Sequence, residues 1–493
     1  MIKKVDIYTS GIFILFGIIF TSISIPNHVL LRTHALDLGM FNHALYQFSQ
    51  FQMANFSLSY HGEIINYFSD HFSPITLFFV PFYYLFGAYT LLIIQILSIL
   101  WGGYGIWKYL QFKSNRPLLN RILLLHFFVI WGTYSALSFD FHTNVIASMF
   151  VPWILYYFEK GQVKWTLILL ILLALCKENM ALWSIFIYIG LLLKKYLKNR
   201  QSFQFRHFVK FELSVLVGLG VYFLVVVGYV MPHLNEGNVA YQLSRYGHLG
   251  NSTKEIIYHL LSKPNELFNL LFENTSGEPE FNGIKTELMF MVLVSGGFLL
   301  FYQPIYLLML IPIFAQKMLA NNYAIWGISG QYSIEFVPVL SLCVIDFVLK
   351  LKAYKWQMFT TILTVIFTAY FNYRSIESRH PLWFDNTNTA FYDAKHYQSP
   401  LPTQAILQKL KSIPDGVSVS ASSALTPHLE KRRNLFLFPN INRAKYILLL
   451  DNPMNTYPCS YEEFVLKRKA LLKNERYQLI YQKNALSIFK RKI

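Results

Sequence analysis

Charge is what this sequence has least of. Asp, Glu, Lys and Arg make up 14% of its 493 residues, where soluble globular chains carry about 25%. That shortage excludes an ordinary soluble domain. Cysteine is scarce as well: Cys176, Cys343 and Cys459 fit no disulfide framework or zinc spacing. Two of them lie in or beside apolar runs, where a small buried hydrophobe is the expected role. The region from residue 374 lacks a glycine-rich phosphate loop, so it is assigned no nucleotide, and the chain shows no internal repeat or low-complexity stretch. Acids are fewer than bases, 26 against 43, for a formal net charge of +17. In a soluble chain that excess would suggest nucleic acid; in a membrane chain its placement decides its meaning.

Apolar residues fill the gap, at 54% of the chain. A helix needs about 20 of them to cross the hydrocarbon core. The runs predict a polytopic α-helical membrane protein of about eleven spans, over 7–27, 89–108, 120–138, 144–159, 164–176, 180–193, 211–231, 286–302, 304–320, 336–350 and 356–373. Several are short, as tilted or broken helices are. The stretch 74–87 is too short and too proline-punctuated to span, and reads as a re-entrant or interfacial helix. Lys3 and Lys4 precede an apolar run as in a signal peptide, but no small-residue cleavage site follows, so an uncleaved first helix is expected.

The basic residues set the orientation. One connection holds Lys108, Lys113, Arg116 and Arg121; the next, "KKYLKNRQSFQFRHFVK", holds six Lys and Arg; a third holds Lys350, Lys352 and Lys355. By contrast, residues 28–73 have one Arg and no Lys beside Asp37, Glu63 and Asp70. The positive-inside rule puts the N-terminus in the cytoplasm. The charge is then a topology signal, and no nucleic-acid partner is expected. Asp37, Asp70, Asp140, Lys177 and Glu178 all fall at external helix ends, as do the loops 232–285 and 321–335.

From residue 374 the composition changes. Strand-like "VSVSAS", "LFLF" and "YILLL" alternate with turn residues, and "YQLIYQKNALSIFKRK" reads as a closing hairpin. Residues 1–373 are thus expected to form the transmembrane domain, and 374–493 a small external α/β domain.

Each ionisable cluster has a plain structural reading. Asp37 in "LDLG" suits a helix start, where the dipole favours an acid. Asp70, before Ser73-Pro74, and Asp140, in "FDFH", could cap the helices that follow. Lys177 and Glu178 interrupt an otherwise apolar stretch from Trp165 to Leu193, and an ion pair in a tight turn would explain them. Four such features on one face are better explained by a shared polar cavity.

The ordered motifs "LDLG", "DHFSP", "FDFH", "KEN" and "PDGVSVSASSALTPHLEKR" resemble the predicted membrane-protein family called domain of unknown function 2079, from about residue 33 to the C-terminus. Asn179 stands where that family usually has an acid. The family is similar to the GT-C glycosyltransferases, such as protein O-mannosyltransferases, which take a sugar from a polyprenyl-phosphate carrier. The resemblance implies an external-face transferase with Asp37, Asp70 and His71 as catalytic residues. Asp140, His142, Lys177, Glu178 and Arg245 would bind substrate, with Arg32 a further candidate cation. Its partners would be a polyprenyl-phosphate-linked sugar, membrane lipids and an envelope acceptor.

The chemistry suits such a layout. An attacking hydroxyl needs a carboxylate base, and a departing phosphate needs cations. Asp37, Asp70, His71 and Asp140, with His142 and Glu178, also offer ligands for Mg²⁺ or Mn²⁺; some GT-C enzymes use a metal and others do not. Two rivals stand beside this reading. A transporter or flippase of lipid-linked sugars would place its acids near the midplane of pseudo-symmetric halves. A non-catalytic, membrane-anchored envelope-binding protein would need neither the many spans nor the acids at helix mouths.

Overall fold

A computed structural model describes residues 6–58, 63–198, 208–235, 241–380 and 384–492. Lys3, Lys4, Arg200 and Arg206 lie outside the described residues. Asp6 opens the first helix, Ile7–Val29, by accepting the N–H groups of Tyr8 and Thr9, both at 3.1 Å. Phe16, Phe20 and Ile23 of that helix are buried, while Ile7, Ile14 and Ile18 are exposed. Apolar side chains on both faces fit a helix packed on protein one side and lipid the other.

Helices occupy all the expected apolar stretches. Among the described residues four are long and apolar enough to cross a membrane: Ile7–Val29, Pro74–Lys113, Met180–Leu197 and Val209–Leu234. The number rises to six if two bent pairs each count as one span. Pro117–Val129 and Trp131–Leu137 meet at 45°, and Tyr323–Ser333 meets Phe336–Lys350 at 67°. The difference from about eleven has physical causes. Val163–Ala174 has 12 residues and Pro304–Met318 has 15, both short of the roughly 20 a crossing takes. Tyr354–Glu377 is long enough but carries a buried polar row, Gln357, Thr361, Thr364, Thr368 and Asn372.

The stretch 74–87, expected as a separate short helix, is helical in two pieces, Pro74–Phe79 and Val80–Phe86. It continues past Gly87 into Thr90–Lys113 as one apolar run.

At the helix ends bearing the basic clusters, Lys194 joins Glu159 at 2.7 Å and Asp346 at 2.5 Å. Tyr109 and Tyr306 also donate to Asp346, at 2.7 and 2.8 Å. A buried network with this many mutual partners fixes helix register, since removing one member strands the rest.

Strands β1 (Asn55–Phe56) and β2 (Ile65–Asn66) form a small antiparallel pair. The C-terminal region builds a five-stranded sheet from β3 (Ser418–Ala421), β4 (Asn434–Leu437), β5 (Tyr446–Leu450), β6 (Tyr477–Lys483) and β7 (Leu486–Arg491), in the order β4-β3-β5-β7-β6. Strands β3, β4 and β5 run parallel, and β7 is antiparallel to β5 and β6. Asn484 (φ +56°) and Ala485 (φ +63°) make the β6–β7 turn. Two left-handed residues in a two-residue loop match the twist of a hairpin. Val419, Ala421, Leu425 and Leu437 share one continuous apolar core with Phe20, Leu38 and Phe41. The sheet is therefore packed onto the helices.

Candidate active site at the helix mouths

Asp37 is the tip of a strained turn, at φ +80° and ψ −101°. A non-glycine residue held there costs on the order of 1–3 kcal/mol and persists only when its surroundings over-determine it. Here they do. Asp140 Oδ2 accepts the N–H of His34 at 2.9 Å and of Leu38 at 3.3 Å, one on each side of Asp37. Ala35 N–H donates to Ser423 Oγ at 3.0 Å. A Cβ at Gly39 would sit 2.8 Å from Thr426 Oγ1, so only glycine lets the turn lie this close to the segment Ser423–His428. Thus "LDLG" and "SALTPH", nearly 390 residues apart in sequence, form one packed unit.

The Asp37 carboxylate turns toward His142, with Oδ1 to Nε2 at 3.3 Å and 21% of its side chain exposed. Phe139 stacks on the His142 ring at 5.8 Å. Beyond it, Asp70 and His71 are 3.8 Å apart. Glu178 Oε2 accepts the Phe72 N–H at 3.1 Å, and Ile75 N–H donates to Leu175 O at 3.1 Å. These bonds dock "DHFSP" on the "CKEN" turn. The Lys177 side chain has no hydrogen bond or ion pair among the described residues, yet its charge reaches Asp37 and His71.

The two central acids are driven apart. Burial pushes the Asp37 carboxyl up, but His142, His71 and Lys177 outweigh it and hold the group below the ordinary carboxylate value. Burial, and then the Asp37 charge, push Asp140 well above that value, against the N–H groups of His34 and Leu38. Burial, then Lys177, lower His71 against the pull of three acids. Neighbouring carboxyls with separated affinities for protons are the usual arrangement where one must stay charged to work.

Two cavities open beside this cluster. One of about 300 Å³ is lined by Asp37, Ser138, Tyr323, Gln331 and Arg379. The other, about 340 Å³, has Glu178, Asn179 and Arg245 at polar positions and Trp183, Phe223 and Val227 among its apolar walls. Asp37, Asp70, His71, Asp140, His142, Lys177 and Glu178 therefore come together, and Arg245 lines one cavity with Glu178.

Arg32 does not join them. Its guanidinium donates to the carbonyls of His396 (2.8 Å) and Gln398 (2.7 Å), stapling the segment after the last long helix. Asp140 serves the backbone, which differs from the substrate contact expected of it. The metal candidates Asp37, Asp70, His71 and Asp140 do not fit a metal. Among the described residues no three His, Cys, Asp or Glu side chains converge to hold one, because Asp140 faces backbone N–H groups and Asp37 faces His142.

Three further residues escaped the sequence. Arg379 lines the Asp37 cavity with Nη2 buried and unpartnered among the described residues, and burial lowers it to about 10. Glu335 is buried and accepts Asn144 Nδ2 at 2.9 Å, two residues after His142. Lys317 is buried and donates to Tyr332 O at 2.7 Å. A single acid or base beside an apolar run gives no pattern to read; only a marked pair such as Lys177-Glu178 does.

Comparison with known proteins gives a family and a fold. Residues 27–485 match the family model described as "Predicted membrane protein (DUF2079)". No curated protein matches the chain. Among solved structures, ArnT from Cupriavidus metallidurans, in a crystal structure bound to undecaprenyl phosphate, is similar with a TM-score of 0.50 and 10% identity. The similarity covers 97% of this chain and 98% of that one. At that identity the likeness is one of fold.

Proposed function

The chain belongs to the DUF2079 family of predicted membrane proteins and has an ArnT-like fold of the GT-C kind, and from that premise we propose that it transfers a sugar from a polyprenyl-phosphate carrier to an envelope acceptor. The observation that carries this reading is Asp37: an ionised carboxylate in a strained turn, opening on a cavity, with cations close by. ArnT was solved with undecaprenyl phosphate; here the cavity holding Arg245 and Glu178 is the place for such a carrier, with a charged end and apolar walls.

In the proposed reaction the acceptor hydroxyl enters from the Arg379 side and Asp37 takes its proton as the oxygen attacks the anomeric carbon. The bond from that carbon to the carrier phosphate breaks, and the phosphate leaves with both electrons of the bond. Lys177 and Arg245 stabilise its charge. Asp70 and His71 form the wall beside Asp37, where they orient the sugar. Asp140 fixes the turn, and His142 keeps Asp37 ionised.

The orientation belongs to the same proposal. The site residues lie at helix ends opposite Lys113, Lys194 and Lys350, so the positive-inside rule puts the site and the C-terminal sheet outside, with about eleven crossings and a cytoplasmic N-terminus. The test is transfer of label from polyprenyl-phosphate sugars to envelope material by wild type and Asp37→Asn at matched expression. Loss of about 10²- to 10⁴-fold in the variant is expected. Equal transfer removes Asp37 from the mechanism, and no transfer by wild type from any donor favours a flippase.

A further inference from the structure

A third cavity lies away from Asp37, where the first loop meets the C-terminal sheet. At about 660 Å³ it is the largest of those described here, and it falls in the range of about 300–1,000 Å³ that small-ligand sites occupy. Its walls come from two parts of the chain. Helix Met40–Ser49 and the segment after it supply Tyr46, Gln52 and Asn55; the sheet side supplies Arg433 and Asn434.

The walls are rigid. Gln47 exchanges two hydrogen bonds with the backbone of Asn55, at 2.7 and 2.9 Å. His43 Nε2 lies 3.1 Å from Arg432 O. Ser57 Oγ donates to Leu435 O at 2.9 Å, and Ser57 bridges Phe436 as an added parallel rung on the sheet edge. Arg432 is occupied by Asp415 and by Ile413 O.

The inner polar groups thus hold the walls and leave the outer ones free. Among the described residues, the side-chain amides of Gln52, Asn55 and Asn434, the Arg433 guanidinium and the Tyr46 hydroxyl have no hydrogen-bond partner. Three planar amides each present a donor and an acceptor side by side, the pattern that pairs with adjacent hydroxyls on one ring. A phenol ring offers a flat face to the C–H side of a sugar. Among the described residues no Asp or Glu lines the cavity, so these walls do not repel acidic sugars. From this arrangement we infer that the cavity is a binding subsite for an oligosaccharide chain. The helix that follows the Asp37 turn, Met40–Ser49, forms one wall of this cavity through His43, Tyr46 and Gln47. A glycan held there can present a hydroxyl at Asp37; that link alone rests on the proposed transferase function.

The test uses the full chain in nanodiscs and two probes, maltohexaose and a hyaluronan hexasaccharide, with binding read by saturation-transfer NMR and titration. Wild type should bind at least one of them. The double variant Gln52→Leu and Asn434→Leu should bind about tenfold or more weakly with an unchanged Tm, because both residues are exposed. Arg433→Ala should weaken the hyaluronan probe more than the neutral one. Asp37→Asn should bind like wild type, which separates this subsite from the transfer reaction. Equal binding by the double variant, or no binding of either probe by wild type at about 1 mM, overturns the proposal.

Discussion

His142 Nε2 stands 3.3 Å from Asp37 Oδ1, and this contact decides which of two adjacent acids carries charge. Against the rise that burial causes, His142 is the largest of the influences that bring Asp37 down, ahead of His71 and Lys177. Asp140, which faces backbone N–H groups, has no such cation and is driven up.

A pH profile reads that division. With Asp37 below the ordinary value of about 3.9, the acidic limb of kcat/KM for sugar transfer should lie below the usual carboxylate range. His142→Phe removes the side chain that most lowers Asp37, so the Asp37 pKa rises and the limb moves to higher pH. An unmoved limb would assign it to another group. The stability signs are opposite. Asp37, depressed on folding, contributes stability that is lost as pH falls from about 3.9 through its folded value. Asp140, raised on folding, loses stability for the fold as pH climbs from about 3.9 to its elevated value.

Asp140 is a positioning residue, and two substitutions separate its shape from its charge. Asp140→Asn keeps a carbonyl oxygen for His34 and Leu38 and removes the loss of stability that a raised carboxyl brings as pH climbs, so the fold should hold or gain stability at neutral pH. Asp140→Ala strands two backbone donors, at about 1–3 kcal/mol each, and releases the strained turn. Thermal unfolding should separate the two, with transfer lost in the alanine variant. Equal unfolding temperatures would mean the clamp is not what holds Asp37.

The arginines should divide in the same way. Arg245→Ala and Lys177→Ala are expected to raise KM for the carrier-linked sugar, and Lys177→Ala to do so with little change in Tm, since its side chain has no hydrogen bond or ion pair among the described residues. Arg32→Ala removes charge-assisted bonds to the carbonyls of His396 and Gln398. It should lower stability by about 2–3 kcal/mol while the surviving folded protein keeps its KM. A KM effect at Arg32 would return it to the site.

Much of this was legible in the sequence, for definite reasons. Apolar runs marked the helices, because burial and lipid both select such residues. The strands "LFLF" and "YILLL" and the closing hairpin stood out by turn residues around β-branched and aromatic ones. The acids gathered because each sits at a helix mouth, and helix ends on one side of a bundle must lie near one another. What could not be read is contact across the chain. Nothing local in "LDLG" says that Leu38 N–H needs Asp140, or that Gly39 lies against Thr426. Arg32 looked like a free external cation, since its partners are carbonyls and carbonyls leave no trace in sequence. Span number stayed coarse because a 12-residue apolar helix and half of a broken one look alike.

Orientation is the last prediction, and the chemistry depends on it. Ser423 bonds to the Asp37 turn, so the C-terminal sheet and the acids share one side of the membrane. Lys352 follows Phe336–Lys350 at its opposite end. Both Lys352 and Lys473 are exposed, and the native Cys176, Cys343 and Cys459 are buried, so introduced cysteines report cleanly once the native three are replaced by alanine. A membrane-impermeant maleimide on intact cells should label Lys473→Cys at once and Lys352→Cys only after permeabilisation. Labelling of both from one side would break the odd span count. The reverse pattern would put Asp37 in the cytoplasm, where soluble nucleotide sugars are available and a lipid carrier is not required. The observed side therefore selects the donor class as well as the topology.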